Sequence, residues 1–128
     1  MLKYEDANDI LSNEFEEMKI AFDEDEVGYN DDTSHCFYSL EFVPFIVKQI
    51  IEGNSTQLEK IFRFIEKLFN DGDDGLINIA EVSIVESIYY ELDFERFKET
   101  IFSLCGPLTR KSFDNMEYDE PNDSADAI

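Results

Sequence analysis

Basic residues are scarce in this chain. It has ten Lys and Arg in 128 residues against 31 Asp and Glu, for a net charge of −21. That balance repels phosphate at long range and excludes a nucleic-acid reader working through a basic patch. There is one histidine, no tryptophan and only two cysteines, Cys36 and Cys105, too far apart for a metal-type spacing. No apolar run approaches the length of a bilayer span, so no membrane insertion is expected. The opening residues Met1-Leu2-Lys3-Tyr4-Glu5-Asp6 lack the basic start and apolar stretch of a secretory leader. Together with the sparse cysteines, this points to reduced thiols and a cytoplasmic setting, although a Cys36–Cys105 bridge stays open.

Apolar mass is plentiful. Hydrophobic residues make up 43% of the chain, including 12 Phe and 6 Tyr. A wholly disordered acidic chain is thereby excluded, because burial of these side chains can offset the entropy of ordering. The length fits one domain with its own core.

The pattern predicts an all-α, single-domain antiparallel bundle or short helical stack of five to six helices over 1–116. Ala7, Leu11, Phe15, Met18 and Phe22 recur at steps of four, four, three and four, giving a first helix over about 6–22. A second covers about 39–51, rich in Phe and Ile. Pro44 is most comfortable in a first turn, which favours a start later than Ser39, and Gly53 closes the helix. A third follows Asn54 or Ser55 as cap, with Leu58, Ile61, Phe62, Ile65, Leu68 and Phe69 inside and Glu59, Lys60, Arg63, Glu66 and Lys67 outside. Asp71-Gly72-Asp73-Asp74-Gly75 breaks the chain before a mostly apolar fourth helix over about 76–90. Asp93 is expected to cap a fifth, ended by Gly106-Pro107, and a short sixth spans 109–116. Residues 117–128 hold five acids and no base and read as an acidic flexible tail.

Catalytic signals are weak, and no enzyme activity, cofactor or metal is expected. His35 adjoins Cys36, but neighbouring side chains usually point apart, so a nucleophile pair would need unusual geometry. No phosphate loop, GxSxG or HExxH pattern is present. Asn70 to Glu81 has the length of a calcium loop, with Gly75 sixth and Glu81 twelfth. Asn70 and Gly72 weaken or remove two ligand positions, so a plain acidic turn is the expectation. Glu86, set among Ile84, Val85 and Ile88, is expected as a partly buried tie to Arg63 or Arg96.

The acids themselves say more. Asp23-Glu24-Asp25-Glu26, then Tyr29, then Asp31-Asp32 place six acids in ten residues with no base. No regular element is evident there, and so long a connection is functional or disordered. Asp71, Asp73 and Asp74 form a second acidic turn. The self-repulsion of such a surplus is relieved most simply by a basic partner. Tyr29, flanked by acids, is the favoured aromatic anchor, ahead of Tyr4 and Tyr118.

The run Phe62 to Phe69, the acidic turn after it, Asn78 to Glu86, and Leu104-Cys105-Gly106-Pro107-Leu108-Thr109 resemble the centre of small acidic helical bacterial immunity proteins of polymorphic or contact-dependent toxin systems. The resemblance covers about half the chain and rests on helical pattern. It implies a protein that neutralises a cognate toxin by direct binding. The expected partner is a basic protein toxin domain, first of all a nuclease, and neither nucleic acid nor membrane. Partner-binding candidates are Asp23, Glu24, Asp25, Glu26, Tyr29, Asp31, Asp32, Asp71, Asp73 and Asp74. Two other readings use the same features: a nucleic-acid mimic that inhibits a DNA- or RNA-binding protein, and a divergent calcium-binding helical protein.

Overall fold

A computed structural model describes residues 1–25 and 28–126, with side chains except at 31 and from 118 onward. Among the described residues seven helical runs form an all-α fold, with no strand beyond one isolated bridge, Leu2 with Gly72.

The first amphipathic stripe makes two helices, α1 (Ala7–Glu14) and α2 (Glu16–Glu24), instead of the single helix expected. Phe15 between them is extended, with φ −128° and ψ 119°. Its ring is 1% exposed and packs against Phe42, Phe45 and Phe64. Burying this large side chain favours the break, since one extended residue redirects α2 while Met18 stays buried.

The second rod starts earlier than its periodicity suggests. α3 (Ser34–Phe37), a first π segment (Tyr38–Phe42) and α4 (Val43–Glu52) follow without a break. Pro44 therefore lies inside a continuous rod and not in its opening turn. A proline there lacks an N–H and presses on the carbonyl four residues back, and the wide turn before it accommodates both effects. Gly53, at φ +69°, closes the rod as expected, its N–H reaching the carbonyls of Gln49 and Ile50.

α5 (Ser55–Asp71) is capped by the Asn54 side chain, which accepts from the Gln57 N–H at 3.3 Å. It buries the expected stripe except Phe69, which is half-buried, and also Phe64. The next rod joins α6 (Asp74–Asn78), a second π segment (Ile79–Glu86) and α7 (Ser87–Glu91). The second π segment buries Ile79, Ala80, Ser83, Ile84 and Val85 and packs against the first π segment, α5 and the helix that begins at Pro107, at the centre of the fold. Glu81, Val82 and Glu86 of this segment stay exposed, too few for its pattern to show a wide polar face.

α8 (Phe94–Leu104) follows Asp93, whose side chain makes no cap bond; its carbonyl accepts from the Arg96 N–H instead. The backbone of α9 (Pro107–Asp126) runs well past the expected Met116 and across most of the stretch set apart as a tail. Lys98 and Glu117, 2.9 Å apart, tie α8 to α9. Glu86 is exposed and ties nothing to Arg63 or Arg96; Glu66 instead reaches from α5 to the start of α9.

Candidate functional site

The two acidic stretches fold differently. In the second, the backbones of Asp71 and Asp73 bridge to Leu2, with Leu2 N–H to Asp71 O at 2.8 Å and Asp73 N–H to Leu2 O at 2.9 Å. One carboxylate oxygen of Asp73 accepts from the Tyr4 N–H at 2.9 Å and the other from the Leu76 N–H at 3.0 Å, which caps α6. Asp73 is thus committed to structure. Asp71 and Asp74 are exposed. Among the described residues no three His, Cys, Asp or Glu gather where a metal ion could be held. Of the Asn70 to Glu81 stretch, Asn70 and Asp71 end α5, Gly72 and Asp73 make the turn, and the rest lies in the next helical rod.

Asp73 makes a pH prediction. Its bond from the Tyr4 N–H, then that from Leu76, hold the carboxyl below the ordinary aspartate range. The folded pKa lies under the unfolded one, so the stability it contributes is present above about pH 4 and is lost as pH falls through the folded value. Asp73→Asn keeps an acceptor but cannot titrate. It is expected to melt lower than wild type at pH 7 and to lose less on going below pH 4, as followed by thermal unfolding across that range.

The first stretch builds a pocket. Asp23 lies 3.4 Å from Lys19 on the exposed side of α2, and Glu24 is also exposed. Asp25 turns back, and its carboxylate accepts from the Gly28 N–H at 2.5 Å. Gly28 has φ +81°, a conformation that costs a side-chain-bearing residue more. Glu26 lies outside the described residues. Asn30 and Thr33 form a reciprocal capping box around the turn Asp31–Thr33 that opens α3, and Asp32 is exposed on it.

Tyr29 is half-buried on this frame. Its ring lies 4.9 Å from Phe37 and 6.3 Å from Phe22, centroid to centroid. Its hydroxyl donates to Glu41 at 2.8 Å. Burial first, then the Glu41 carboxylate and the Asp25 charge, hold this phenol far above the ordinary tyrosine range. The anchor expected to reach out for a partner is thus packed on the domain and forms a wall. With Asp25, Gly28, Thr33, Cys36 and Leu40 it lines a pocket of about 290 Å³. Leu40 is 63% exposed. No Lys or Arg is among the lining residues.

His35 points elsewhere, its Nδ1 2.6 Å from the Ser83 hydroxyl and its ring 6.0 Å from that of Tyr4. It links α3 to the second π segment while its neighbour Cys36 faces the pocket. Both cysteines are free. Burial pushes the Cys105 thiol up to about 12, whereas Cys36 is exposed.

The structure therefore brings Asp25 and Tyr29 together, keeps Asp23 and Glu24 at the exposed end of α2 and Asp32 on the exposed turn before α3, and uses Asp73 elsewhere. Sequence reading missed Cys36, Leu40 and Glu41. The signal was present in the four-residue step from Cys36 to Leu40 on the π rod, masked by apolar residues around most of that helix. Chemically, the pocket offers an apolar wall for an alkyl stem and the Asp25 carboxylate for the cation at its end, the two halves of a lysine or arginine side chain.

A family model for a domain of unknown function, DUF7674, matches residues 8–120, so the chain belongs to that family. Neither a curated protein nor a solved structure matches it.

Proposed function

We propose that the chain is an immunity-type binding protein that docks a cognate basic toxin domain, first of all a nuclease, and performs no reaction itself. The observation that carries this reading is the Tyr29–Leu40 pocket, an apolar floor beside the Asp25 carboxylate with no Lys or Arg among its lining residues. Protein interfaces that hold tightly combine a centre that can be desolvated with a polar rim. Charge supplies the approach. A field of this sign accelerates encounter with a basic partner by roughly 10–10³-fold, which matters when a toxin must be caught before it acts. A nuclease fits because its own cleft must attract a polyanion. The same reading places the protein in the cytoplasm, where such a toxin would find its substrate.

The test is a titration of the protein against a co-encoded basic toxin domain at about 0.15 M salt, where screening acts over roughly 8 Å. Asp23→Asn, Glu24→Gln and Asp25→Asn combined are expected to weaken binding at least about tenfold and to flatten its salt dependence. Unchanged affinity in that variant rejects the surface.

A further inference from the structure

The pocket is one end of a longer feature. On the rod from α3 to α4, Cys36, Leu40, Pro44, Val47 and Ile51 follow at steps of four, four, three and four, which aligns them on one face. Most of that face looks outward, with Val47 half-buried against the core. Leu40 is 63% and Ile51 62% exposed, and Cys36 and Pro44 are exposed too. A second depression, about 380 Å³, lies at the far end, lined by Pro44, Val47, Lys48, Ile51, Glu52 and Glu91. Scattered surface leucines need no explanation, but a stripe running the length of a rod, with a depression at each end, marks an interaction surface.

Charge says what covers it. Asp25 and Glu41 stand at the Leu40 end, and Glu52 and Glu91 at the Ile51 end, against the single cation Lys48. A second copy would bring like charge against like charge at both ends, in a chain of net charge −21. An amphipathic helix flanked by arginine or lysine meets both requirements. Its apolar side chains fit beside Leu40, Val47 and Ile51, and its cations reach the two acidic ends. From Cys36 to Ile51 the rod rises roughly 22 Å, so the matching segment has about 15 residues.

We propose that the Cys36–Ile51 face is the seat of an amphipathic helix with basic flanks, supplied by the partner. This rests on the reading that the partner is basic, and it adds the form in which the partner is recognised.

The experiment uses the full chain and a synthetic helix-forming peptide of about 18 residues, with leucines at steps of four, three and four and arginines at both flanks. A scrambled peptide of the same composition and a glutamate-flanked version are the controls. Maleimide labelling of exposed Cys36 reports occupancy, with the protonated Cys105 thiol as the slow reference. At about 0.15 M salt the amphipathic peptide is expected to bind at least about tenfold more tightly than the scrambled one and to slow Cys36 labelling. Leu40→Ser with Ile51→Ser, both at exposed positions, is expected to remove that advantage.

Equal binding of amphipathic and scrambled peptides would overturn the inference, since charge alone would then explain the attraction; the acidic pocket would survive it. So would unchanged toxin binding by the Leu40→Ser, Ile51→Ser variant alongside lost binding in the Asp23, Glu24 and Asp25 variant. A dimer seen by sedimentation and broken by the serine pair would give the face to a second copy and also overturn it.

Discussion

Phe42→Ala is expected to destabilise the protein by about 3–5 kcal/mol, read from the urea midpoint at constant slope. Phe42 is fully buried in the first π segment. Its ring centroid lies 5.3 Å from Phe15, 5.7 Å from Phe64 and 6.0 Å from Tyr38, so one side chain touches the break between α1 and α2, the middle of α5, and its own rod. Truncation opens a cavity where three separate pieces of chain meet. None can close it cheaply. Phe15 is fixed by the extended residue that carries it, and Tyr38 is held by its hydroxyl, which donates to the Ala7 carbonyl at 2.7 Å. Phe42→Leu keeps most of the volume and is expected to cost under about 1.5 kcal/mol. A single domain commonly has 5–15 kcal/mol in all, so the alanine variant is expected to be marginal near body temperature while the leucine variant folds. If the two variants lose similar amounts, the ring cluster is not the knot that the packing describes.

The same residues show what periodicity can and cannot carry. The stripe from Ala7 to Phe22 identifies the buried face, because burial repeats at the helical period however the helix is joined. It does not reveal the break at Phe15. One extended residue leaves the apolar spacing intact, and only the position of Phe42 and Phe64, far off in sequence, explains why Phe15 turns inward. Pro44 is the converse case. Local chemistry argues for a helix start, and the π turn ahead of it removes the conflict that argument depends on. The acidic stretches divide on similar grounds. Asp73 is bound by the opening residues of the chain at Leu2 and Tyr4, the latter a contact across 69 positions that no spacing announces. Asp25 and Tyr29 come together locally, within a turn set by Gly28 and the Asn30–Thr33 box; the acidic spacing marked both residues as candidates but showed no regular element there. What charge counting could not supply was the apolar half of the surface. Leu40 and Ile51 look like core residues in sequence, and it takes the rod's orientation to place them outside.

Glu66→Ala is expected to cost about 2 kcal/mol and to loosen α9 ahead of the rest of the fold. α9 begins at Pro107, so its cap position falls on Gly106, which has no side chain to offer. Pro107 suits the first helical position, but the next N–H groups still need acceptors. Glu66 supplies them from α5: one oxygen accepts from the Leu108 N–H at 3.2 Å, the other from the Thr109 N–H and hydroxyl, each at 2.9 Å. A side chain at Gly106 would run into this carboxyl, so the glycine and the glutamate are a matched pair. Thr109 is fully buried, and water does not readily replace its lost partner. A negative charge at a helix start also meets the positive end of the helix dipole. Glu66→Gln keeps an acceptor without the charge and is expected to lose about half as much. Amide exchange over 107–117 would locate the effect, rising in Glu66→Ala well before exchange in α5. Uniform acceleration across all helices would mean that Glu66 acts on global stability and not as the cap of α9.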